Sequence, residues 1–154
     1  MVAGGFANRS VGVLGAGQVD ARGAINTSRI NGRMLTGSGG ANDIASSAAA
    51  IVVTTAHDRA RLPERVEFVT SPGYRVRAIV TDRAVIERRS QNGEFTLTGV
   101  LDRGEAAKEQ LVRDAVDRCG WRLPIADNVE VFPPVDGREL AAVRTYDPVG
   151  NFVL

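Results

Sequence analysis

Gly37-Ser38-Gly39-Gly40-Ala41-Asn42-Asp43-Ile44-Ala45-Ser46 is the stretch from which the rest of this chain is best read. Three glycines, an Asn-Asp pair of the kind that caps helices, and a run of small residues describe a bare-backbone loop placed directly before a helix. Amides at a helix start attract negative charge, and glycines let a ligand come close to them. The stretch therefore points to an anionic ligand or an oxyanion. A helix is predicted over about Asp43 to Ala50, with Asn42 as its N-cap.

Upstream, Ser10-Val11-Gly12-Val13-Leu14 is an apolar run of the type found inside a sheet. Met1 to Arg9 is Gly/Ala-rich and weakly patterned, so a central strand arrives early and further upstream structure is expected. Gly15 to Asp20 turns the chain, Ile25 to Ile30 alternates like a second strand, and Asn31-Gly32 marks a turn. Downstream, Ile51 to Thr55 reads as a buried strand and Val66 to Thr70 as another, stopped by Ser71-Pro72-Gly73. Val76 to Arg88 is mostly extended, Gln91-Asn92-Gly93-Glu94 signals a hairpin, and Phe95 to Thr98 returns antiparallel. Glu105 to Cys119 is an amphipathic helix with Ala107, Leu111, Val112, Ala115, Val116 and Cys119 on one face, and Gly120 is its stop. Val129 to Phe132 is a last short strand. Asp136 and Glu139 have capping-box spacing for a helix through about Thr145, which Asp147-Pro148 ends.

At 154 residues, 44% hydrophobic and 24% charged, the chain suits one globular domain with its own core. The formal net charge of +1, with arginines interspersed among carboxylates, recruits neither nucleic acid nor membrane. A single cysteine excludes an internal disulfide, no apolar stretch approaches a membrane span, and no signal-peptide pattern opens the chain. A soluble, cytoplasmic setting is expected.

Several local motifs have bland explanations. Gly15-Ala16-Gly17 follows a strand, but Asp20 stands where a dinucleotide fingerprint needs its third glycine, and no helix pattern follows. His57 is the only histidine, which rules out a polyhistidine metal cluster, and it reads as a polar residue ending a strand. Cys119 falls on the buried helix face as a small hydrophobe. Arg59, Arg61 and Arg65 form a solvated face unless they pair a ligand phosphate or carboxylate.

Four segments in order carry a more specific signal: Gly15-Ala16-Gly17-Gln18-Val19-Asp20, Ile25-Asn26-Thr27, the glycine-rich loop Gly37 to Ser46, and Val66 to Tyr74. Together they resemble the beta subunit of family I coenzyme A transferases of the glutaconate type. Pro133-Pro134, Glu139-Leu140, Arg144 and Asp147-Pro148-Val149-Gly150 resemble that subunit's C-terminal end. The resemblance implies an α/β fold with an open mixed sheet and flanking helices, related to the sugar-phosphate isomerases. It implies one beta-subunit-like domain over residues 1–154, N-terminally incomplete.

In that family a glutamate attacks the acyl-CoA to form an acyl anhydride and then a glutamyl-CoA thioester. Each step passes through a tetrahedral oxyanion that backbone amides stabilise. By resemblance Gly39, Gly40 and Ala41 form the oxyanion and CoA loop, and Gly37, Ser38, Asn42, Asp43 and Gln18 are substrate-binding positions. Coenzyme A or acyl-CoA is a substrate, with no permanently bound cofactor and no metal. The expected partner is an alpha subunit or a second copy of the chain. The family's nucleophilic glutamate lies ahead of the first matching motif, and no glutamate precedes Glu64 here. Three functions stay open: a transferase beta-subunit portion, a CoA-ester hydrolase or C–C cleaving enzyme on the same scaffold, and a non-catalytic CoA-binding or structural subunit.

Overall fold

Leu14, Val53, Ile79, Ile86 and Leu97 stand side by side on five hydrogen-bonded strands, each 7% exposed or less. This row is the spine of a six-stranded sheet seen in a computed structural model, which describes residues 9–90, 92–104 and 107–149. Its strands are β1 (Val11–Gly15), β6 (Ala50–Thr55), β7 (Val76–Thr81), β8 (Ala84–Glu87), β9 (Thr96–Leu101) and β10 (Ile125–Phe132), paired in that order. β1, β6 and β7 run parallel, β8 is antiparallel to both neighbours, and β10 runs parallel to β9. The expected mixed α/β sheet is present.

Apolar runs make these strands because β-branched side chains suit a pleated surface. Full burial of Ile79 or Ile86 contributes about 1.5–3 kcal/mol each. The helices are α1 (Ala41–Ser47), α2 (Lys108–Asp117) and α3 (Gly137–Tyr146). Ala45 and Ala48 of the α1 region lie against β1, where a Cβ on Gly12 would meet Ile44 Cγ2 at 2.4 Å. α2 buries Ala115 and leans Leu111, Val112 and Val116 on the same core, with Cys119 just beyond its end. That is the apolar face read from the sequence except for Ala107, which is the exposed N-cap and lies outside the core. The part of that helix expected at Glu105 and Ala106 lies outside the described residues.

Between β1 and α1 lie four two-residue strands: β2 (Gln18–Val19) pairs with β3 (Ile25–Asn26), and β4 (Arg29–Ile30) pairs with β5 (Arg33–Met34). Asn31 and Gly32, at φ 53° and 71°, make the turn between β4 and β5.

Four expectations need correction. Ile25 to Ile30 is not one strand: Thr27 and Ser28 bend away because their amides donate to the Thr70 hydroxyl. Val66 to Thr70 is not a strand either, since the Thr70 and Ser71 amides both donate to the Ile25 carbonyl and Phe68 and Val69 are exposed. The first helix starts at Ala41, with Gly40 as N-cap and no side-chain cap bond, which puts Asn42 inside the first turn. Gly120 is no left-handed helix stop: Arg118 caps α2, and Gly120 is bare because its Cβ would meet the Leu62 carbonyl at 2.2 Å.

Candidate functional site

The segments that carry the resemblance come together as one hydrogen-bonded platform. Asn26, fully buried, donates to Gln18 Oε1 at 2.8 Å and to the Arg29 carbonyl at 2.6 Å, and its Oδ1 accepts from the Ser28 and Arg29 amides. Gln18 Nε2 donates in turn to the Ala60 carbonyl at 2.9 Å, so its amide joins two loops of the protein. Asp20 Oδ1 accepts from the Arg22 and Ala24 amides and Oδ2 from the Val66 amide. These bonds explain why Asp20 stands where a dinucleotide site needs glycine: the carboxylate holds a loop together. Gly73 packs so closely on the Gly23 backbone that a Cβ would fall 2.1 Å from its carbonyl carbon.

Arg88 completes the platform, and nothing in the sequence marks it. Its guanidinium donates to the carbonyls of Val76 at 2.6 Å, Arg22 at 3.0 Å and Gly73, and lies 4.6 Å from the centre of the Phe95 ring. An arginine in a polar hairpin normally reads as solvated, yet this one is 6% exposed. Burial pulls its pKa down, Arg77 adds to the effect and Asp20 opposes it.

From this platform the β4–β5 hairpin rises, tied at its base by the Leu35 amide to the Ser28 carbonyl at 2.7 Å. The glycine-rich loop follows directly. Gly39 takes φ 52°, and the Ala41 amide closes a turn on the Ser38 carbonyl at 3.1 Å, which fixes where α1 begins. At the other end of α1, Tyr74 donates to the Ser46 carbonyl and Arg75 Nη1 to the Ala48 carbonyl at 2.7 Å. The helix is held, while the loop before it stands open. Gly37, Gly39, Gly40, Asn42 and Asp43 are exposed, and Ser38 and Ala41 half-buried.

A Cβ on Gly37, Gly39 or Gly40 would meet no atom of the described residues within 4 Å. At Gly39 the positive φ accounts for glycine. At Gly40, φ −77° is an ordinary helical value open to any residue. Among the described residues, neither packing nor backbone geometry demands glycine there.

Of the remaining candidates, His57 and Cys119 belong to the core and the three arginines to the surface. His57, 3% exposed, places Nε2 2.8 Å from the Ala115 carbonyl and Nδ1 2.9 Å from the Thr81 hydroxyl, while its amide donates to Asp82. A carbonyl accepts only from a protonated ring nitrogen, so Nε2 carries the proton. The ring ties the end of α2 to the sheet. Burial raises the Cys119 thiol above its ordinary pKa, which makes it a poor nucleophile. Arg59 is exposed and donates from Nε to the Asp117 carbonyl, while Arg61 and Arg65 are exposed. No group of three or more His, Cys, Asp or Glu among the described residues is placed to hold a metal, and no described helix is long and apolar enough to cross a membrane.

No family model matches the chain. It is 30% identical over 157 residues to the beta subunit of the 3-oxoadipate CoA-transferase of Pseudomonas knackmussii, covering 89% of this chain and 58% of that protein. It is 36% identical over 148 residues to the beta subunit of the glutaconate CoA-transferase of Acidaminococcus fermentans, covering 83% and 53%. The crystal structure of the latter enzyme superposes with TM-score 0.79 at 24% identity, over 96% of this chain and 62% of that one. The decarboxylase AibA/AibB superposes at 0.71 and 23% identity, over 95% and 61%. The chain belongs to the family of CoA-transferase beta subunits. It spans little more than half the length of the curated relatives it matches.

Proposed function

We infer that this chain is the portion of an acyl-CoA:carboxylate CoA-transferase beta subunit that carries the oxyanion loop. The observation that carries the reading is Gly40: a glycine with ordinary backbone angles and empty space where its side chain would be, in a loop mounted on a rigid platform. Amides of Gly39 and Gly40 serve the tetrahedral oxyanion, Ala41, whose own amide closes the turn on Ser38, lines the loop beside them, and Gly37, Ser38, Asn42 and Asp43 contact the acyl-CoA around it. Gln18 acts through the platform that positions them. The working partner is an alpha subunit, and the setting is cytoplasmic.

In this mechanism a glutamate, supplied outside this chain, attacks the thioester carbonyl and expels the CoA thiolate, leaving an acyl anhydride. The thiolate then attacks the glutamyl carbonyl, releasing the first carboxylate and forming a glutamyl-CoA thioester. The acceptor acid reverses the two steps. The negative charge that develops on oxygen each time is what preorganised amides stabilise.

Gly40→Val in the assembled enzyme tests the reading. Turnover is expected to fall by about a hundredfold or more, the effect of losing one oxyanion donor. The melting temperature is expected to hold, since a Cβ at Gly40 meets no atom of the described residues. Near-normal turnover removes the loop from the reaction centre. Gly39 is the poorer choice, because its positive φ would add backbone strain to any effect on chemistry. Turnover that persists without an acceptor carboxylate would instead favour the hydrolytic reading of the same scaffold.

A further inference from the structure

α1 is seven residues long, has no side-chain cap bond at its start and fully buries one side chain, that of Ala45. So short a helix does not hold its place by its own hydrogen bonds, and the carbonyls of its last turn find no partner inside it. Two carbonyls at that end are met from outside. The Tyr74 hydroxyl donates to the Ser46 carbonyl at 3.3 Å, and Arg75 Nη1 donates to the carbonyl of the C-cap residue Ala48 at 2.7 Å. No basic residue lies in the last turn of α1, so Arg75, which directly precedes β7, brings the cation that the negative end of a helix favours. Its guanidinium lies 5.4 Å from the centre of the Tyr74 ring, which makes the two side chains one unit. The unit is itself fixed. Arg88 donates to the carbonyls of Gly73 and Val76, the residues on either side of Tyr74 and Arg75, and the Arg75 carbonyl accepts from the Ile51 amide at 2.9 Å. The C-terminal end of α1 is thus tied to the platform, while its N-terminal end carries Gly39 and Gly40. Seven helical residues span about 10 Å, so a tilt of about 6° at the tied end moves the loop by about 1 Å. A misplacement of that size can cost about a hundredfold in rate.

We propose that Tyr74 and Arg75 are positioning residues: they clamp the C-terminal end of α1 and thereby set where the Gly39 and Gly40 amides stand. Neither side chain touches a reacting atom. The proposal rests on the oxyanion role of the glycine-rich loop and adds the residues that aim it.

The test is a double-mutant cycle in the assembled enzyme, built from Arg75→Met and Gly40→Val. Arg75→Met alone is expected to lower kcat by about tenfold or more with KM unchanged, because the interaction it weakens is made only in the transition state. In the Gly40→Val background, where the loop no longer serves the oxyanion, Arg75→Met is expected to lower kcat no further. Arg75→Lys keeps a charge and a donor for the Ala48 carbonyl, and is expected to retain most of the turnover. Amide hydrogen exchange of the same proteins is expected to quicken across Ala41–Ser47 in Arg75→Met and to stay unchanged in β9. A lysine variant no better than the methionine one, or unchanged exchange in α1, overturns the clamp. Losses that multiply across the cycle beside an impaired Gly40→Val overturn the positioning role and leave the oxyanion loop standing. Near-normal turnover in Gly40→Val overturns the oxyanion role, and the positioning role with it.

Discussion

His57 illustrates how a residue of catalytic type becomes structural. Burial holds its pKa below the ordinary 6.5, the Ala115 carbonyl and Asp82 pull upward, and Arg83 adds to the lowering. The folded protein therefore prefers the neutral ring, and between the folded-state pKa and 6.5 the unfolded chain binds more protons. Stability is then full above about pH 6.5 and declines as the pH falls toward the folded-state pKa. Being the only histidine, His57 owns this window. Asp114, whose carboxylate is held below 3.8 by Arg118 first and Arg83 second, loses its contribution only at lower pH. We expect the melting temperature to drop between about pH 7.5 and about pH 5.5, and His57→Gln to flatten that slope. An unchanged slope in the variant would mean the imidazole is not buried as a neutral ring. The sequence already favoured a non-catalytic histidine, but its partners Thr81 and Ala115 lie 24 and 58 residues away and left no local trace.

Among the elements, α3 was the most legible, because its signal is local. Asp136 Oδ1 accepts from the Arg138 and Glu139 amides at 2.8 Å each, and Glu139 Oε2 accepts from the Asp136 amide at 3.2 Å. A ten-residue helix that buries nothing depends on such a cap. Asp136→Ala should cost the helix about 1 kcal/mol and speed hydrogen exchange through α3 without moving the global melting temperature. A lower global melting temperature would show that α3 belongs to the cooperative core. The start of α1 was harder to place. Asn42 and Asp43 have cap chemistry, but the turn made by Gly39 and Ser38 starts the helix two residues before Asp43. Val66 to Thr70 failed for a related reason, since its apolar pattern suits a strand while its amides are claimed by Ile25 and Asp20.

Across the molecule, the described glutamates stand at the surface, and those that border a cleft, Glu64, Glu87, Glu94 and Glu109, border open ones. Glu64, Glu67, Glu87, Glu94, Glu109, Glu130 and Glu139 are all exposed; Glu67 accepts from the Gly32 amide, Glu87 from the Thr98 hydroxyl, and Glu139 closes the α3 cap. Covalent catalysis needs a carboxylate positioned within near-attack distance of the carbonyl and beside its oxyanion donors. Incubation of this chain with acyl-CoA, borohydride trapping and mass spectrometry should therefore yield no glutamyl adduct. A stoichiometric adduct on any glutamate would move the nucleophile into this chain and make it self-sufficient.

Strand runs, the Asn31-Gly32 turn, the amphipathic α2 and the capping box were readable because each is decided by residues within a turn or two of one another. The glycine-rich loop was readable too, as a bare stretch that needed a ligand to explain it. The platform beneath the loop was not. Asn26 and Thr70 are 44 residues apart, Asp20 and Val66 46, Arg88 and Arg22 66, and polar residues at such separations show no pattern until the chain folds. Nor could alternation reveal which sheet face is covered, since strands buried on both faces and strands buried on one begin from the same valine-rich runs. Local propensity selects the elements, whereas burial depends on what the rest of the chain brings against them.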